Sequence, residues 1–211
     1  MGEPKNAAAR LALDALTEGL MLRDALAEGL LERYGEAEPA LTAMIQGIVE
    51  GQGGSMAGLN FRLKSVDSLA RKITDDAKTF GFSEAIAANR ITDVSRYTAI
   101  FDTENLFKNA ESIRLEMVRN GYELIKIRNL FGKEGNYQGL HFNFKKDGLG
   151  FELQFHTQQS FEIKMINHYD YEVNRNINAS EELRELTNKW MKKNWLGFNL
   201  PASYLSLADW P

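Results

Sequence analysis

The chain contains no cysteine, which excludes disulfides, thiol nucleophiles and cysteine-ligated zinc. Histidine is scarce too: three residues cannot build a histidine-rich metal centre, so any bound metal is expected to take oxygen ligands. No segment approaches the ~20 consecutive apolar residues of a membrane span, and the N-terminal region lacks the basic start and unbroken apolar core of a signal peptide. Positive charge is not in excess either. A net charge of −4 and a pI near 5.5 argue against long duplex nucleic acid as the main ligand, because such binding is driven by many phosphate neutralisations. A local cationic pocket remains compatible with that balance. What is present is ordinary globular composition, 44% hydrophobic and 26% charged in 211 residues, enough for one domain with a substantial core and a helical appendage. The opening Met1-Gly2-Glu3-Pro4 reads equally as a natural beginning or as the edge of a domain cut from a longer chain.

Periodicity divides the chain into a helical segment (residues 1–50), a glycine-rich linker (51–58) and a main domain (59–211). In the first, residues 6–34 carry Leu13, Leu16, Leu20, Leu30 and Leu31 at helical spacing and close at Gly35, and a second helix is expected after Pro39. The glycines at 51, 53 and 54 lack both the P-loop Lys-Ser/Thr ending and the dinucleotide spacing, so they read as a hinge. Extended segments are expected at 59–64, 93–101, 122–131, 138–145 and 151–156, and helices at 66–80, 104–120, 160–173 and 180–195. Lys146-Asp147-Gly148 is a hairpin signal between the last two strands. The fold class is therefore α+β: a mixed, largely antiparallel sheet of about five strands flanked by helices, with an N-terminal helical pair packed on it.

Polar residues recur on one face of several of these strands. Alternation puts Glu152, Gln154 and His156 opposite Phe151, Leu153 and Phe155; His141 and Asn143 opposite Leu140, Phe142 and Phe144; and Lys126 and Arg128 opposite Ile125 and Ile127. Such a face suits a cleft wall. Upstream, Arg62 and Lys64 lie two apart on an expected strand, and Ser68 and Lys72 four apart on an expected helix, so each pair shares a face and both can converge on one polyphosphate. Two separated carboxylates, Asp93 and Glu152, can hold a divalent metal and take a proton from an attacking hydroxyl. Tyr137 sits in a Gly-Asn-Tyr-Gln-Gly turn with Lys133 nearby, a placement suited to stacking on a nucleobase. His168, Glu162, Lys164 and Glu172 read as structural or helix-surface groups. Together these features suggest phosphoryl or pyrophosphoryl transfer.

In order and spacing these motifs resemble the synthetase domain of the RelA/SpoT alarmone synthetases over roughly residues 59–172. Arg62-x-Lys64-x-x-x-Ser68-x-x-x-Lys72 resembles the family's ATP-phosphate motif, Asp93 its magnesium-binding aspartate, Tyr137-x-x-x-His141 its acceptor-base loop, and Glu152-x-Gln154 with Thr157 its Glu-x-Gln-x-Arg-Thr strand. The resemblance implies ATP binding by Arg62, Lys64, Ser68, Lys72 and Arg96, and Mg²⁺ held by Asp93 and Glu152. It also implies acceptor binding by Tyr137, Lys133, Arg128, His141, Gln154 and His156, and catalysis by Glu152, Asp93 and Arg96. Two departures stand out: Thr98 occupies the family's arginine position with Arg96 two residues earlier, and His156 replaces the arginine of the Arg-Thr pair.

The segment from His156 to Glu172 looks closer to divergent toxin domains of that family. The expectation is a synthetase-only chain that moves the β,γ-pyrophosphate of ATP to the 3′-hydroxyl of a purine nucleotide, making a (p)ppApp-type alarmone as a growth-inhibiting toxin. It would act in the bacterial cytoplasm, with delivery there as part of a secreted effector left open, with ATP and an acceptor purine nucleotide as ligands and a cognate immunity or antitoxin protein as a partner. A (p)ppGpp synthetase, an enzyme acting on tRNA 3′ ends and a catalytically dead binding relative are the alternatives.

Overall fold

The structure is a computed structural model that describes residues 4–176 and 178–210, with side chains from Thr17 onward. Helix α1 (Pro4–Gly51) leads into the short strand β1 (Ser55–Ala57) and a 3₁₀ turn (Leu59–Phe61). Helices α2 (Val66–Phe80) and α3 (Glu84–Arg90), strand β2 (Ser95–Ile100) and helix α4 (Leu106–Arg119) follow. Strands β3 (Glu123–Asn129), β4 (Leu140–Lys146) and β5 (Leu149–His156) complete the sheet, and helices α5 (Gln158–Ile166), α6 (His168–Arg175) and α7 (Glu181–Asn194) follow, ahead of an irregular C-terminal segment. The five-stranded sheet has the order β1-β2-β5-β4-β3. Only the β2–β5 pair among these neighbours is parallel, so the sheet is mixed and mainly antiparallel, as expected.

Alternation along the strands builds the core. Phe142 and Phe144 of β4 and Phe151, Leu153 and Phe155 of β5 are fully buried on the face that receives Ile113 and Met117 of α4 and Ile45 and Val49 of α1. Each buried phenylalanine contributes about 1.5–3 kcal/mol of transfer free energy. The opposite face keeps the polar residues. The β4–β5 hairpin turns through Asp147 and Gly148, both at positive φ, the conformation that the Asp-Gly pair favours.

Four local expectations are revised. The N-terminal helical pair is one helix with Pro39 inside it. The hydroxyl of Tyr34, before Pro39, accepts a hydrogen bond from the Gly150 amide at 2.8 Å, and Ile45 and Val49, after it, enter the main core, so tertiary anchors hold both halves to one axis. The glycine-rich stretch carries β1, and Gly54 is a packing residue: a Cβ there would fall 2.5 Å from the Phe101 ring. Residues 59–64 are not a continuous strand, since Arg62 has α-helical backbone angles and only Leu63 bridges to Ser95. The helix expected over 160–173 is two helices meeting at Asn167.

Candidate active site

The phosphate-motif residues come to the edge of β2. Ser65 caps α2 by accepting a hydrogen bond from the Ser68 amide, which places Ser68 and Lys72 on successive turns. The buried Lys64 ammonium lies 2.5 Å from Asp93 Oδ2 and donates to the Asp93 carbonyl at 2.7 Å. Burial pulls the Lys64 pKa down, and the neighbouring Asp93 and Glu152 carboxylates oppose that pull. Lys72 approaches Asp93 Oδ1 at 3.9 Å and pairs with Asp76 at 3.2 Å. Asp93 Oδ1 is nevertheless buried without a hydrogen-bond partner, as is Nε of Arg96.

Arg62 goes elsewhere. Its guanidinium embraces Glu38 of α1 through Nε and Nη2, the second bond at 2.9 Å, and Nη1 donates to the Leu59 carbonyl at 2.8 Å. Arg62 and Lys64 therefore do not share a face, because the helical backbone at Arg62 breaks the alternation.

Glu152 stands on β5 directly opposite Arg96 of β2 and Asn143 of β4. The Gln154 amide donates to Oε1 at 2.5 Å, and His141 Nδ1 lies 3.4 Å from Oε2. Burial alone would raise the pKa of this carboxyl; His141, Gln154 and Lys64 more than reverse it and hold Glu152 far below the usual carboxylate range. Tyr137, half-buried, turns its hydroxyl inward, 2.7 Å from His141 Nε2 and 2.8 Å from His156 Nε2, and its ring meets Trp195 edge-on. His156 is fully buried on Ser160.

Lys164, expected on the helix surface, is instead part of the site. From α5 it reaches back across the sheet to donate to Gln154 Oε1 at 2.6 Å, beside Thr98 at 3.5 Å. Burial first, and then the charge of Arg96, lower its pKa to about 8. The signal was its helix position, since seven residues after the N-cap Thr157 is two turns, which returns a side chain to the sheet. Lys133 pairs instead with Asp209 of the C-terminal segment at 2.5 Å, and Arg128 is exposed on β3 opposite His141. The structure thus brings together Lys64, Lys72, Asp93, Arg96, Glu152, Gln154, His141, Tyr137 and His156, adds Lys164, and turns Arg62 and Lys133 toward carboxylates of other segments.

A cleft of about 460 Å³ lies beyond the far end of β2, lined by Gly54, Asp102, Thr103, Thr157 and Gln159 among others. Its lining contains a carboxylate and no cation, which does not suit a polyphosphate, so the polar sheet face is the candidate site.

In sequence, no family model and no curated protein matches the chain. In fold it is similar to the small alarmone synthetase 1 of Bacillus subtilis bound to its product pppGpp, at 14% identity and a TM-score of 0.53, covering 79% of this chain and 90% of that one. A GTP pyrophosphokinase family protein from Streptococcus pneumoniae gives 16% identity, a TM-score of 0.52 and coverage of 79% and 87%. Small alarmone synthetase 2 of Bacillus subtilis gives 15% identity, a TM-score of 0.50 and coverage of 81% and 96%. The chain has the fold of the RelA/SpoT-type synthetase domain.

Proposed function

We propose that the protein is an ATP-dependent pyrophosphokinase that transfers the β,γ-pyrophosphate of ATP to the 3′-hydroxyl of a purine nucleotide, making a (p)ppApp-type product. The observation that carries this reading is the register of β2 against β5: it sets Arg96 beside Glu152, with Lys64–Asp93 at one end and Lys164–Gln154 at the other. Cations for a polyphosphate and a carboxylate for a hydroxyl thus share one wall. The ribose 3′-oxygen attacks the β-phosphorus of ATP, the bond from that phosphorus to the bridging oxygen of the α-phosphate breaks, AMP leaves, and the hydroxyl proton passes to Glu152. Lys64, Lys72, Arg96 and Lys164 neutralise the charge that develops on the phosphoryl oxygens.

The residues fit Mg²⁺. Two carboxylates, with Asp93 Oδ1 buried and without a hydrogen-bond partner, match a cation that binds through one or two carboxylates and completes its shell with substrate phosphate and water. Such a metal, held by Asp93 and Glu152, would polarise phosphate oxygens and acidify the hydroxyl. Glu152, held strongly acidic, is a weak base, so its contribution depends on proximity to the hydroxyl more than on basicity.

Tyr137 supports a stacking role toward the acceptor base, and the replacement of an arginine by the neutral, buried His156 favours adenine over guanine. Guanine is the second reading, since a fold relative carries pppGpp. Among the described residues no helix is long and apolar enough to cross a membrane. Unregulated synthesis would make the protein a bacterial growth inhibitor acting where ATP is abundant, neutralised by a dedicated immunity protein. Incubation with γ-labelled ATP and each acceptor nucleotide in turn, resolved by chromatography, should label the adenine nucleotides; no transfer to any acceptor overturns the reading.

A further inference from the structure

The candidate base stands at the end of a chain of side-chain contacts that runs through the fold to the start of α5. Glu152 Oε2 lies 3.4 Å from His141 Nδ1, His141 Nε2 2.7 Å from the Tyr137 oxygen, that oxygen 2.8 Å from His156 Nε2, and His156 Nδ1 2.8 Å from Ser160 Oγ. Ser160 Oγ accepts from the Thr157 amide at 2.9 Å, within the capping box that begins α5.

Donors and acceptors along this chain can be assigned from its ends. An ionised carboxylate only accepts, so His141 Nδ1 carries a proton toward Glu152. At the other end the Thr157 amide can only donate, which leaves the Ser160 hydroxyl free to give its proton to His156 Nδ1 at the shorter of its two contacts, 2.8 Å against 3.1 Å to the Thr157 carbonyl. With the Ser160 proton on its Nδ1 side, His156 donates from Nε2 to the Tyr137 oxygen, and the Tyr137 hydroxyl donates to His141 Nε2. Every proton points toward Glu152. Burial keeps His156 neutral, pushing its pKa well below the usual histidine value, and keeps Tyr137 protonated, pushing its pKa well above the usual phenol value. Gly139 makes the arrangement sterically feasible: a Cβ there would fall 2.9 Å from both the His156 ring and the Tyr137 hydroxyl.

We propose that His156, braced by Ser160, is a positioning residue that acts through Tyr137 and His141 to hold the Glu152 carboxylate in one orientation toward the acceptor hydroxyl. The logic is that of a base oriented by a third group, lengthened by a tyrosine. It rests on the pyrophosphokinase reading above for its consequence in catalysis, but the chain of contacts itself is a property of the folded protein.

Two measurements test it. In the wild-type protein, nitrogen-15 NMR of the imidazoles should find His156 protonated at Nε2 and His141 at Nδ1; His156 protonated at Nδ1 instead overturns the proposed polarity. In turnover assays, His156→Phe should lower kcat roughly 10–100-fold, the usual cost of losing an orienting partner, with ATP KM nearly unchanged. His156→Gln, whose amide can donate to Tyr137, should recover part of the loss. In a Tyr137→Phe background, His156→Phe should cost nothing more, because the hydroxyl through which it acts is gone. Losses that multiply in the double variant, or an unchanged kcat in His156→Phe, overturn the proposal. A wild-type protein that transfers no pyrophosphate refutes the enzymatic reading instead, while the tautomers still decide the hydrogen-bond chain.

Discussion

Glu152 and Lys164 show how one environment sets two residues to different tasks. Both are shielded from water, yet Glu152 has three partners that favour its charge, whereas Lys164 has a hydrogen-bond acceptor in Gln154 and a like charge in Arg96. Glu152→Gln keeps the shape and removes the charge, so transfer should fall at least ~10²-fold while the circular dichroism spectrum is retained. Near-normal turnover in that variant would remove Glu152 from the mechanism. For Lys164 the folded pKa, about 8, lies below its ordinary 10.5, so between those values the unfolded chain holds a proton that the folded chain has released. Stability should therefore rise with pH across that window, and the cost of burying the charge is fully present below it. In Lys164→Met the rise should flatten in urea titrations at stepped pH, and under the proposed mechanism transfer should weaken because the cation beside Gln154 is lost. The strand alternation made Glu152, Gln154, His141 and His156 legible in the sequence, whereas Lys164 was legible only through its place two turns after the N-cap Thr157, against the general rule that a lysine on a polar helix is solvated.

At the scale of elements, helix α1 is tied to the turn that precedes α2 by the Glu38–Arg62 pair. Glu38 is buried and also accepts from the Thr42 hydroxyl, which touches Tyr97 of β2 at 3.0 Å. The carboxylate occupies the same guanidinium fork that a phosphate would use. Glu38→Gln should therefore cost stability, roughly 1–2 kcal/mol given that Arg62 stays partly in water, and at the same time lower the ATP KM by releasing Arg62. Urea midpoints and initial rates on one preparation separate the two effects; a stability loss with unchanged or raised ATP KM would mean that Arg62 serves only the fold. None of this was readable beforehand. Gly35 and Pro39 are ordinary helix-ending signals, and their override depends on Tyr34, Glu38, Ile45 and Val49 finding partners distant in sequence. The β4–β5 hairpin was readable because its signal is local, an Asp-Gly turn between two alternating strands; β1 was not, because three residues carry too short a pattern.

At the scale of the whole molecule, a net charge of −4 coexists with a polar sheet face that gathers Lys64, Lys72, Arg96 and Lys164. Such a distribution attracts a small polyanion to one place while the surface as a whole repels a long one, which favours free nucleotides over tRNA as acceptors. In the proposed mechanism the choice among nucleotides then falls to groups at the base edge, because stacking on Tyr137 would accept any purine. His156, buried and neutral where an arginine would keep a permanent charge, removes a cation from that surrounding. AMP, ADP or ATP should therefore be pyrophosphorylated at least as well as GDP or GTP in a side-by-side assay, with no label on tRNA. Tyr137→Ala should raise the acceptor KM by roughly tenfold or more and leave ATP affinity nearly unchanged, since one stacked base contributes ~1–3 kcal/mol. A strict guanine preference would instead assign base choice to contacts outside the Tyr137–His156 pair, and labelling confined to tRNA would show that local cations outweigh the acidity of the whole.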